Sequence, residues 1–464
     1  MPKKYTRLFS LLLALLPWLA VAQTTTIEVH FPLQATDTVV LSHYFNSKIY
    51  ANDTLILNSE GQGRFHFKEP LPQGIYSLYF DQNTFFDFLL GEEQQLSIRQ
   101  DQGSIQLTGA EESQWFQNFR NYMAKQQTQS KRLRQRLKNA QGVDSIQTIQ
   151  QQLYQLDEQV LSFWETETAR TEGSFYATFV STNLPPPTPQ VFPDSIRHND
   201  SRKAAYSYYY RKAHYWDHFD LYDIRLWRTP IIEARLKEFF NEVLIQHPDS
   251  VLPSAIQLIE GSKAQPEVFQ NLTSFILNNS AQSKYMSMEN VFVALAQKYY
   301  LNGEAFWISD KTKENIAREV HFRKNNLLGN LAKELLLEDE NGQYQSLLQQ
   351  NTNYTIVVFW EPDCGHCKQQ IPQLFNEVFL AADPSDLSVF AVFTGTDKQA
   401  WTDFLKQHEL NGWLNVWDPQ QTSNFRVNYN VRSTPMIYLL DANKTILGKQ
   451  LTIEQLKAFF GANR

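Results

Sequence analysis

Cysteine is what this 464-residue sequence has least of: there are two, Cys364 and Cys367. One pair cannot form a framework of staples, which excludes a fold held by several disulfides. A structural zinc site takes four ligands, and no second CxxC stretch exists to complete one, so no metal is expected. Basic residues are also short, 42 against 49 acidic, for a net charge of −7. A protein whose main partner is nucleic acid needs the opposite balance. Glycine (17) and proline (19) are too few for a wholly disordered chain. Long hydrophobic runs are missing too. The apolar stretch 8–16 falls well short of the roughly 18 residues that a spanning helix needs.

What is present begins with an address. Lys3, Lys4 and Arg7 precede that apolar stretch, and Ala20-Val21-Ala22 is a small-residue cleavage site, the layout of a secretory signal peptide. Residues 1–22 are expected to be removed and the protein to reside in the periplasm or cell envelope; an uncleaved anchor is the alternative that the short apolar run disfavours. No cysteine follows that run, so a lipid anchor there is excluded. In an oxidising compartment a lone CxxC pair, with no other thiol to compete in exchange, reads as reactive and not structural.

The rest reads as a multidomain chain of three blocks. Residues 23–109 read as an all-β, sandwich-like domain, with runs at 24–31, 37–45, 54–58, 64–67, 75–80, 85–90, 95–99 and 104–108 separated by turn residues. The glycine-containing turn 59–63 is expected to close a hairpin between 54–58 and 64–67. His30, His43 and His66 are scattered over these strands without a converging cluster. Residues 110–325 read as an all-α domain. Glu111 and Glu112 precede the stripe Trp115, Phe116 and Phe119. Ile146, Ile149, Leu153, Leu156, Val160 and Phe163 step by three and four, over too few heptads for an intermolecular coiled coil. Lys131, Arg132, Arg134, Arg136 and Lys138 read as a solvated helix face, 185–193 as a proline-rich loop, and the His, Asp and aromatic stretch 208–220 as packing, with a ligand cleft as its alternative. Residues 326–464 alternate strand and helix: a hairpin at Asn341-Gly342, strand 354–360, helix 364–380, strand 387–395, helix 398–410, strands 436–440 and 445–450, and a last helix capped by Thr452 and Gln455.

The cysteines stand where strand 354–360 hands over to a helix. Disulfide exchange proceeds through a thiolate. A helix N-terminus offers Cys364 free N–H groups and the positive end of the helix dipole, and both favour the thiolate. The i, i+3 spacing puts Cys367 one turn inward, near enough to close a redox-active disulfide and more shielded. Cys364 is therefore the expected nucleophile and Cys367 the resolving thiol. His366 between them supplies an imidazole that can stabilise the thiolate, or else serves as a turn residue. A locked structural disulfide is the remaining reading, but so short a loop stabilises little. No cofactor is expected.

The stretch Phe359-Trp360-Glu361-Pro362-Asp363-Cys364-Gly365-His366-Cys367-Lys368, with Ile371-Pro372 and Thr434-Pro435, resembles the thioredoxin superfamily, and is most similar to its exported TlpA/ResA-like branch. The resemblance implies a C-terminal α/β thioredoxin-like fold over 326–464, a cis Pro435 facing the CxxC, and backbone of Thr434 offered to an extended substrate. The upstream blocks, through stretches 223–230 and 292–300, resemble the arrangement in exported Bacteroidetes proteins of a β domain and a helical domain of unknown function ahead of the redox domain. Thioredoxin carries a buried carboxylate six residues before its first cysteine; Val358 stands there in this sequence. Glu361 and Asp363 are the nearby carboxylates that could move protons instead. Glu361, where a peroxiredoxin has threonine, argues against peroxidase chemistry. The expected function is thiol–disulfide exchange with exported protein thiols or disulfides, in a direction set by the reduction potential; work as a reductase would need a membrane electron donor. A Gly-His pair between the cysteines leans toward the oxidising end, roughly −180 mV for protein disulfide isomerase against roughly −270 mV for thioredoxin. The rival is an envelope binding or scaffold protein whose β and helical domains recognise a partner, with the redox domain accessory.

Overall fold

The computed structural model describes residues 24–101 and 104–462; the segment read as an export signal, residues 1–22, lies outside them. The chain divides into two compact units, one ending at Glu238 and the other starting at Phe239. The helices expected over 110–325 are thus shared between the units.

The first unit opens with eight strands: β1 (Thr25–His30), β2 (Thr38–Phe45), β3 (Lys48–Ile56), β4 (Gln62–Phe67), β5 (Gly74–Tyr79), β6 (Phe85–Leu90), β7 (Gln95–Asp101) and β8 (Ser104–Thr108). They form two four-stranded sheets, ordered β4-β1-β7-β8 and β3-β2-β5-β6. Inward residues of both sheets, among them Ile27, Val29, Leu41, Leu78, Phe88 and Ile98, share one core, as alternation on a half-buried strand requires. The expected hairpin at 59–63 is corrected. β4 pairs antiparallel with β1, in the other sheet from β3. β3 starts earlier than expected, at Lys48, because Asn46 and Ser47 both take positive φ (46° and 66°), the two-residue turn that joins β2 to β3. With β3 tied to β2, the turn around Gly61 (φ 76°) carries the chain across to the second sheet.

Helices α1 (Glu111–Asn139) and α2 (Val143–Arg170) fold back on each other, joined through Leu133, Ile149 and Leu156 and through Tyr122 stacked on Phe163 (3.9 Å). Then come α3 (Phe175–Ser181), α4 (Asp200–His214), α5 (Ile224–Trp227) and α6 (Ile232–Glu238). The aromatic and histidine-rich stretch makes contacts within itself: His214 pairs with Asp217 (2.8 Å) and lies tilted against the Tyr210 ring (4.2 Å).

The second unit holds α7 (Pro248–Ser262), α8 (Pro266–Ala281), α9 (Met288–Leu295) and α10 (Asp310–Arg323). α7 starts at Pro248, and Pro253 lies inside it. Beyond α10 run β9 (Leu336–Asp339), β10 (Tyr344–Ser346), β11 (Tyr354–Trp360), α11 (Gly365–Leu374), β12 (Leu387–Phe393), α12 (Lys398–Gln407), β13 (Leu414–Trp417), α13 (Phe425–Asn428), β14 (Met436–Leu440), β15 (Ile446–Lys449) and α14 (Ile453–Ala462). Their sheet is ordered β10-β9-β13-β12-β11-β14-β15. β11 is parallel to β12 on one side and antiparallel to β14 on the other, so it is an interior strand of the sheet. Its residues 355–360 are buried on both faces, which explains the unbroken apolar run. The Thr452–Gln455 capping box forms in both directions (3.0 and 3.2 Å).

Candidate active site

The site grows from the C-terminal end of β11. The turn after Trp360 delivers Cys364 to the N-cap of α11 with extended backbone (φ −69°, ψ 120°), and its sulfur accepts the N–H of Cys367 at 3.3 Å. Sulfur thus takes the place that a serine or aspartate oxygen usually fills at this position. Opposite stands the loop before β14. The Thr434–Pro435 peptide is cis, and the Thr434 carbonyl accepts the Cys364 S–H at 3.2 Å, across 70 residues of sequence. Both cysteines are in the thiol form, Cys364 partly exposed and Cys367 fully buried.

The two thiols are driven in opposite directions. Burial acts to raise Cys364, but hydrogen bonds from Cys367, the Thr434 side chain and the backbone N–H groups of Cys367 and His366 outweigh it, leaving the thiol below its ordinary value. Cys367 is pushed up to about 12, chiefly by burial and further by the adjoining Cys364 sulfur. The Thr434 hydroxyl bears on both sulfurs. Its carbonyl receives the Cys364 thiol, and its side chain acts to lower both thiols.

The structure brings together four of the five residues singled out from the sequence: Cys364, Cys367, Thr434 and Pro435. His366 is exposed, and its contribution at Cys364 comes from its backbone. Val358 is fully buried and shares a core cluster with Cys367, Ile371 and Ile437, so apolar packing fills the space where thioredoxin has its carboxylate. Glu361 turns its carboxylate to the Thr394 hydroxyl, and Asp363 points to solvent. Among the described residues no group of three His, Cys, Asp or Glu side chains converges as a metal site.

Residues 351–446 match a family model described as thioredoxin-like, and residues 165–326 match one described as a domain of unknown function. Through the first of these, residues 351–446 are placed in the thioredoxin superfamily. Solved structures similar to the chain include a "domain of possible thiol-disulfide isomerase" from Cytophaga hutchinsonii, 34% identical over 30% of this chain and 92% of that one, with a TM-score of 0.28. The thioredoxin domain of a thiol-disulfide oxidoreductase from Bacteroides vulgatus is 20% identical over 29% and 96%, with a TM-score of 0.28. A thioredoxin-like protein from Bacteroides caccae is 18% identical over 60% and 98%, with a TM-score of 0.43. No curated protein matches the chain.

Two contributors to the thioredoxin-like site escape sequence reasoning. Thr394, at the end of β12, holds Glu361 and belongs to no motif. Arg432, two residues before Thr434, forms a paired contact with Glu319 of α10, 113 residues away. A cation shortly before the Thr-Pro pair was visible in the sequence; nothing there pointed to Glu319.

Proposed function

We propose that this protein is an exported thiol–disulfide oxidoreductase that works through Cys364 and Cys367 in the periplasm or cell envelope. The observation that carries the reading is the contrast between the thiols: a partly exposed Cys364 held below its ordinary pKa at a helix N-cap, beside a buried Cys367 held well above it. That contrast supplies an attacking thiolate and a protonated reserve. The Cys364 thiolate attacks one sulfur of a partner disulfide; a mixed disulfide forms and the partner's other sulfur leaves as a thiolate that takes up a proton. Cys367 then gives up its proton and attacks the Cys364 sulfur. An internal disulfide forms, and the partner departs as a dithiol, two electrons richer. Run backward, the same steps oxidise a dithiol. The layout of residues 1–22 supports export, and a mature protein starting at Gln23 is expected from N-terminal sequencing.

Trapping tests the reading. A Cys367→Ala chain, expressed with its export signal, should accumulate partners in mixed disulfides that reductant releases. If both cysteines of the reduced wild type resist alkylation, or if Cys364→Ala leaves exchange intact, the reading fails. Partners held without a covalent bond, and surviving reductant, would favour the scaffold role.

A further inference from the structure

Thr434, which holds Cys364, ends a loop that is gripped from outside the thioredoxin-like match. The guanidinium of Arg432 makes two parallel bonds to the Glu319 carboxylate of α10, at 3.0 and 3.1 Å. It also lies over the Phe322 ring at 4.8 Å and bonds the Asn430 side chain at 2.8 Å. Glu319 is itself held by Arg323 (3.2 Å), which lies over Phe292 of α9 (4.8 Å). A second tie runs alongside: Asn325 bonds the Asn428 side chain (3.2 Å) and Asn326 bonds the Asn428 carbonyl (3.1 Å). Glu319, Phe322, Arg323 and Phe292 all fall in the region matched to the domain of unknown function.

An ion pair this open, with side chains 47% and 29% exposed, adds little to global stability. A fork-on-fork arrangement capped by an aromatic ring nonetheless fixes direction. We propose that Glu319 and Phe322 are positioning residues for the exchange reaction: they orient Arg432, and through it they set the Thr434 groups that contact Cys364. The helical segment is thereby given a task, to brace the loop that faces the dithiol. The inference rests on Cys364 being the nucleophile.

The full-length reduced chain and its Glu319→Gln variant decide the matter, with the pH profile of Cys364 alkylation by iodoacetamide, the rate of reduction of a small disulfide and the Tm all recorded. Two mechanisms oppose each other in sign. Through the electrostatic field alone, removing an anion lowers a thiol pKa. Through loss of positioning, Cys364 loses a donor and its pKa rises. The expected result is a midpoint about half a pH unit higher and a roughly threefold slower reaction at neutral pH, with Tm nearly unchanged. Arg432→Lys, which keeps the charge but not the fork, should give a shift of the same sign and smaller size; Phe322→Leu, which leaves the charges alone, should also move the midpoint upward. A midpoint that falls or stays put in Glu319→Gln overturns the proposal, as does a loss of Tm with an unchanged profile, which would leave the pair a structural role only. Absence of any Cys364 reaction in the wild type is a separate outcome, and it sinks the nucleophile reading first.

Discussion

At the scale of single residues, the site rests on one sulfur that is a helix cap and, in the proposed reaction, the nucleophile. Cys364 accepts the Cys367 N–H and faces Thr434, and these contacts hold its thiol below the ordinary value. In the reduced protein, iodoacetamide should therefore label Cys364 with a midpoint below that of a free thiol. Cys367, pushed up to about 12, should stay unlabelled across the neutral range. Peptide mass mapping over a pH series checks both. Thr434→Val removes the hydroxyl that acts to lower the Cys364 thiol, so the Cys364 midpoint should move upward, by about half a unit. The placement of the pair at the start of a helix was legible from spacing alone, because a helix N-terminus and an i, i+3 separation are local properties. Val358 was legible only as an absence. Its burial against Cys367 needed the sheet, since strand periodicity alone does not say which neighbour a side chain meets.

At the scale of elements, Cys364 caps α11, and cap energetics separate two substitutions that should abolish the proposed exchange equally. Cys364→Ser keeps an acceptor for the Cys367 N–H and should hold stability close to wild type. Cys364→Ala loses it and should cost about 1 kcal/mol, read as a shift in urea midpoint at constant slope. Elements built on local signals were readable: β11 from its apolar run, the β9–β10 hairpin from Asn341-Gly342, the α14 cap from Thr452 and Gln455. Two were not. β3 begins at Lys48 in an exposed stretch, where alternation of burial is weak, and its pairing depends on the Asn46-Ser47 turn. The helix expected over 364–380 is α11 followed by a π turn at Phe375–Phe379. A π turn has nearly the same side-chain pattern as an α turn, so packing decides between them.

At the scale of the molecule, the second unit joins α7–α10 to the thioredoxin-like sheet through a buried charge. Lys449 of β15 is 1% exposed, and its ammonium meets Glu289 of α9 and the Asn326 side chain. Glu289→Leu strands that ammonium and should destabilise the protein by about 3 kcal/mol. Adding Lys449→Met should recover most of the loss. The deficit should shrink as pH rises, because burial already pulls Lys449 below its ordinary value and the neutral amine needs no anion. Denaturation of the single and double variants at two pH values checks the sign.

The sequence by itself determined the place of the cysteine pair at a strand-to-helix junction, the order of β and α blocks and the thioredoxin-like character of the last one, because each is written in neighbours a few residues apart. Tertiary structure alone decided that Arg432 meets Glu319 across 113 residues, that Lys449 meets Glu289 across 160, and that helices α7–α10 share a unit with the dithiol. Such contacts depend on which strand ends the sheet order places together and which helix packs beside them. No periodicity or motif in the chain records that choice, because it is made by the burial of surfaces contributed from both ends of the separation.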